Sequence, residues 1–119
     1  MEISTFNNTE FGEIRTIQKN GEVLFCGKDI AVALGYADPK KAIIQHCKEN
    51  GVAIYPLIDS MGREQQAKFI TEGNVYRLIA HSKLPGAERF ERWVFDEVLP
   101  SIRKNGAWIG LRRNAKFLL

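Results

Sequence analysis

KFITEGNVYRLIAHSKLPGAERFERWVFDEVLPSIRKNG, residues 68–106, is the stretch that decides the fold. Thr71 is placed to cap a helix whose apolar residues Val75, Leu78 and Ile79 recur at spacings of three and four, and Pro85-Gly86 closes it. A longer helix is predicted from about Ala87. At 100° per residue, Ala87, Phe90, Trp93, Val94, Val98 and Ile102 share one broad side, while Arg89, Arg92, Asp96 and Arg103 gather on the other. Phe90 and Trp93 are therefore expected at the centre of stability. Glu97 falls between them on this wheel, so its carboxylate is expected to need a partner, with Arg77 the nominee. Pro100 removes one helical hydrogen bond and crowds the carbonyl of Asp96, which predicts a kink or break near Leu99. Asn105-Gly106 reads as the helix stop.

Working back toward the amino terminus, EIRTIQKNGEVLFC (13–26) reads as a β-hairpin turning at Asn20-Gly21 with type I′ geometry. Asp29 is expected to cap a short helix, IAVALGY, stopped by Gly35. Asp38-Pro39 opens a second helix, predicted to run to about Asn50 and to end at Gly51. VAIYPLID (52–59) and QAKFIT (66–71) form a second hairpin, with Pro56 marking an edge strand or bulge. Together these elements predict an α+β fold: a small antiparallel sheet built from two hairpins, packed with two short helices and a C-terminal helical pair.

The chain has 119 residues, of which 45% are hydrophobic, enough for one core. No apolar run approaches the roughly 18 residues that span a bilayer, and MEISTFNNTE lacks the pattern of a secretory signal. A cytoplasmic protein without membrane association is expected. Cys26 and Cys47 are too few for a disulfide framework and are expected as free thiols. With His46 and His81 they show no metal-ligand spacing, so no metal or cofactor is expected, and His46 is assigned a structural role. No nucleophile, phosphate-loop or metalloprotease motif occurs, and the neighbouring Asp96 and Glu97 diverge by about 100° on a helix, so no enzyme is expected.

The net charge of +3 conceals an asymmetry. Residues 1–60 hold six Lys or Arg against eight Asp or Glu, whereas residues 61–119 hold eleven against six. An anionic partner is one reading of that excess; a solvated charged surface is the other. The two short helices around Gly35 resemble a helix-turn-helix, in which Lys40, Lys41, Gln45, His46 and Lys48 would face a DNA groove, although Lys41 stands where an apolar residue is usual. The alternative packs this pair beside the sheet with an ordinary polar face outward. Arg63 and Lys68 on the second hairpin would act as a wing against phosphates, the alternative being a plain surface hairpin, and Lys83 lies in the turn between the last two helices.

The 68–106 stretch also resembles the signature of the Bro N-terminal domain, found in phage and prophage antirepressors and in the Bro proteins of baculoviruses. The matching residues are Gly73, Tyr76, Arg77, Leu78, Ser82 and Lys83, then Phe90, Trp93, Val94, Glu97, Val98, Leu99, Pro100, Ile102 and Arg103. FCGKDIAVALGYADPKKAIIQH (25–46) resembles the family's earlier segment. The resemblance implies a Bro-N-like domain over residues 1–106. Residues 107–119 are then a basic and apolar tail; since family antirepressors usually continue into a second domain, the resemblance implies either the start of a linker to a C-terminal domain or an unusually short member.

Two functions follow from the resemblance and the charge. The first is a prophage antirepressor domain that binds DNA and regulates phage gene expression, using mostly phosphate contacts. Its candidate nucleic-acid residues add Arg89, Arg92, Arg103, Lys104, Arg112 and Arg113 to those named above. The second is an interaction domain that inactivates a phage repressor by direct binding, or that pairs with its own copy, through Trp108, Ile109 and Phe117.

Overall fold

A computed structural model describes residues 3–104. Five antiparallel strands, β1 (Ile3–Asn8), β2 (Gly12–Lys19), β3 (Glu22–Cys26), β4 (Val52–Ile58) and β5 (Glu64–Ile70), form one sheet in the order β1-β2-β3-β5-β4. Helices α1 (Gly27–Ala33) and α2 (Pro39–His46) lie between β3 and β4, and α3 (Glu72–His81) follows β5. The chain ends its described course in a rod of α4 (Ala87–Trp93), a wide π-helical turn (Val94–Val98) and α5 (Leu99–Lys104). The α+β expectation holds.

The β2–β3 hairpin turns as its sequence requires, with Asn20 at φ 54° and Gly21 at φ 80°. Positive φ at both central residues gives a twist that matches the flanking strands. The two hairpin units meet only where Phe25 faces Ile70 and Cys26 faces Phe69. Val23, Phe25 and Ile70 point to the helices and build the main core with Ile30, Leu34, Val75, Leu78, Phe90, Val94 and Val98. Leu24, Cys26 and Phe69 point the other way and meet Ile17 and Leu57 in a second cluster. Strand β1 is absent from the sequence reading, so the first hairpin is in fact a three-stranded meander.

Three further expectations are corrected. Asp29 does not cap α1, which begins at Gly27; the carboxylate lies in the first turn and is bound by Arg15. Helix α2 stops at His46, well short of Asn50. Its end is fixed from outside: the buried Asn74 amide accepts from Lys48 N at 2.8 Å and donates to Lys48 O at 3.0 Å. Gly51 serves close approach instead of helix termination, since a Cβ there would sit 2.5 Å from Asn74 Nδ2. Asn74→Ala leaves both Lys48 backbone groups without these partners and is expected to lower stability by about 2–3 kcal/mol, measured by urea unfolding.

The third correction concerns Glu97, which is exposed and needs no buried partner. The expected disturbance near Leu99 takes the form of the wide turn, in which Leu99 N–H donates to Val94 O five residues back. The extra residue in that turn accommodates Pro100 and shifts the helical register. Leu99 and Ile102 are buried beside Val98, and Glu97 swings outward. Arg77 instead donates to Asn74 Oδ1 at 2.9 Å.

Candidate nucleic-acid interface

Helix α2 is short and amphipathic. Asp38 Oδ1 caps it by accepting from Lys41 N at 3.1 Å, and Pro39 stands at its first position, where a missing N–H costs nothing. Ala42 and Ile43 are buried, which leaves Lys40, Lys41, Ile44 and Gln45 exposed. Gly35, at φ 81°, ends the preceding turn, and Tyr36 Oη donates to Leu78 O at 2.6 Å, tying this corner to α3. His46, expected as a structural hydrogen-bonding residue, stacks on His81 with ring centroids 4.3 Å apart.

The start of α2 faces the β4–β5 hairpin across an open cleft of about 880 Å³. Lys28 of α1, Lys40 of α2 and Lys68 of β5 line it, and none of the three carries an ion pair among the described residues. Arg15 also lines the cleft but is committed: its Nε and Nη2 donate to the two Asp29 carboxylate oxygens at 2.8 and 2.9 Å. That bidentate pair, with the Arg15 backbone N–H also on Asp29 at 3.0 Å, raises the Arg15 pKa further and locks α1 onto β2. Asp59 closes the hairpin tip, where it accepts from Met61 N, Arg63 N and Nε, and Gln65 Nε2. These donors hold its carboxyl below the usual range.

The cations named from the sequence thus divide. Lys40 and Lys68 meet at the cleft, and Lys41, Gln45 and Lys48 are exposed along and just beyond α2. Arg63 is turned back onto Asp59 at 3.2 Å. Arg89 pairs with Glu10 through Nε at 3.1 Å, Arg92 with Glu88 at 3.5 Å and Arg103 with Glu72 at 3.5 Å, and none of these lines the cleft. Lys83 and Lys104 are exposed elsewhere. Arg112, Arg113, Trp108, Ile109, Phe117 and the expected stop at Asn105-Gly106 lie outside the described residues. Lys28 and Arg15 were missed. The hairpin register carried a signal for the second, because Thr16 facing Phe25 puts Arg15 opposite Cys26, beside the cleft.

Both cysteines are free thiols, as expected. Burial pushes the Cys47 thiol up to about 11, against the pull of Arg77 and Lys68, and raises Cys26 as well. A raised folded-state pKa means that the native protein holds its proton where the unfolded chain has lost it. The contribution to stability is therefore complete below about pH 9 and fades as pH rises toward 11. The urea midpoint is expected to fall over that interval, less steeply in Cys47→Ala. Among the described residues no group of three or more His, Cys, Asp or Glu is arranged to hold a metal, and no helix is long and apolar enough to cross a membrane.

The model of the BRO family, N-terminal domain, matches residues 13–100. An uncharacterized protein of Haemophilus influenzae is 43% identical over 108 residues, covering 91% of this chain and 53% of its own length. A protein of Invertebrate iridescent virus 3 named for its Bro-N domain is 33% identical over 105 residues, covering 71% of this chain and 26% of its own. A Bro-N domain-containing protein of Acanthamoeba polyphaga mimivirus is 30% identical over 118 residues, covering 89% of this chain and 48% of its own. The chain thus spans about half the length, or less, of these relatives. No solved structure matches it.

Proposed function

The chain belongs to the BRO family through its N-terminal domain, and from that premise we propose that it is a DNA-associated regulatory module, the antirepressor domain of a prophage. One observation carries the reading. Lysines from three separate elements, Lys28, Lys40 and Lys68, converge on one cleft without an ion pair among the described residues, and Lys41, Gln45 and Lys48 are exposed along and just beyond the adjoining helix. Unpaired lysines on a concave surface neutralise phosphates and release counterions, while an exposed Gln on the same helix supplies base-edge hydrogen bonds. Helix α2 would enter the groove and the β4–β5 hairpin would flank it. The module binds and does not catalyse; its site of action is the host cytoplasm.

Fluorescence anisotropy with a labelled duplex of random sequence tests the placement. Lys40→Gln with Lys68→Gln is expected to weaken binding about tenfold at about 0.1 M salt, whereas Arg92→Gln with Lys104→Gln should leave it within about twofold. Equal losses in the two pairs would remove the cleft from the interface. A second reading, direct binding to a phage repressor, draws on Ile44, which is 71% exposed in the middle of the basic face. Tight repressor binding that resists salt and is lost in Ile44→Asp would favour it.

A further inference from the structure

We infer that the cleft between α2 and the β4–β5 hairpin is a binding site for a small amphipathic organic anion, a molecule with an apolar body and one acidic group. Its volume, about 880 Å³, falls within the roughly 300–1,000 Å³ usual for small-molecule sites. Its walls are of two kinds. Ile54 and Ile58, both lining it from the edge strand β4, are 55% and 68% exposed, so large apolar side chains are left open to water there. Lys28 and Lys40 face them from the helices, and Lys68 stands beside Ile54 as its cross-strand partner; none of the three carries an ion pair among the described residues. The lining also holds two carboxylates, Asp38, whose Oδ1 caps α2, and Asp59, which holds the hairpin tip, and the cations Arg15, Lys28, Lys40 and Lys68 outnumber them.

A phosphodiester backbone would use the lysines and leave the isoleucines wet. A neutral apolar molecule would cover the isoleucines and desolvate the lysines without compensation. Only an occupant carrying both properties satisfies both walls. An extended peptide added to β4 is the poorer fit, because Pro56 sits between the two isoleucines and offers no N–H to a neighbouring strand. Since Lys40 and Lys68 are shared with the phosphate interface, occupancy would also compete with DNA; that second half rests on the proposed function, and the first half does not.

The probe is anilinonaphthalene sulfonate, compared with the neutral N-phenylnaphthylamine, on the full chain without DNA. Saturable single-site fluorescence enhancement is expected, with the neutral analogue binding at least about tenfold more weakly. Lys40→Gln with Lys68→Gln should weaken the sulfonate about tenfold and Ile54→Asn about fivefold. These side chains are exposed or half-buried, so the thermal midpoint should stay near that of the parent, which separates a lost site from a lost fold. Absence of saturable binding, equal affinity for the neutral analogue, or unchanged affinity in both variants overturns the inference. If the dye binds as described and yet fails to displace duplex DNA, the site stands and the placement of DNA at these lysines falls.

Discussion

Trp93→Ala is expected to destabilise the domain by about 4 kcal/mol, lowering the thermal midpoint by roughly 15–30 °C. The indole is buried and belongs to an aromatic trio. It stacks on Phe11 with centroids 6.3 Å apart and tilts against Phe90 at 6.1 Å, while Phe11 meets Phe90 edge-on at 5.2 Å. Phe11 comes from the β1–β2 turn, so this cluster joins the first turn of the sheet to the terminal rod. Beside it Arg89 pairs with Glu10, an exposed contact that adds orientation more than stability. Truncating the indole forfeits its buried area and opens a cavity that two rigid rings cannot collapse into. A double-mutant cycle with Phe11→Ala should show a coupling of about 0.5–1.5 kcal/mol. A loss under about 1 kcal/mol would mean that the rod is not what closes the core.

The second large effect is on binding. Replacing Lys40, Lys41 and Lys48 together by glutamine is expected to weaken duplex DNA binding about a hundredfold at about 0.1 M salt. It should also make the slope of log affinity against log salt about 2.7 shallower, since each phosphate contact contributes about 0.9. All three side chains are exposed, so stability should change by less than about 0.5 kcal/mol. The contrast between a large binding loss and a small stability change separates this face from the Trp93 face. Anisotropy over a salt series and one urea titration provide both readouts.

Local chemistry made much of this fold legible. Asn20-Gly21 fixed a turn, that turn fixed a register, and the register put Arg15 opposite Cys26. Thr71, Asp38 and Pro39 marked helix starts because capping is a contact over three residues. What stayed hidden depends on distant partners. Strand β1, ISTFNN, is mostly exposed and polar, and only its pairing with β2 makes it a strand. The end of α2 is set by Asn74, which lies 26 residues beyond Lys48. Glu97 was misplaced because a wheel at 100° per residue cannot anticipate a wide turn. Lys28 gave no pattern of its own, and only the tertiary fold brings it to one cleft with Lys40 and Lys68. The cations of α4 and α5 looked equivalent in sequence, but carboxylates brought in from other elements neutralise Arg89 and Arg103.

The measurement that bears most directly on the central claim is the salt dependence of the unmodified chain's affinity for random duplex DNA. Five lysines that carry no ion pair among the described residues, Lys28, Lys40, Lys41, Lys48 and Lys68, set the expectation: log affinity should fall linearly with log salt at a slope of about −4.5, five contacts at about 0.9 each. A slope near zero, or one that does not change when these lysines are neutralised, would contradict it.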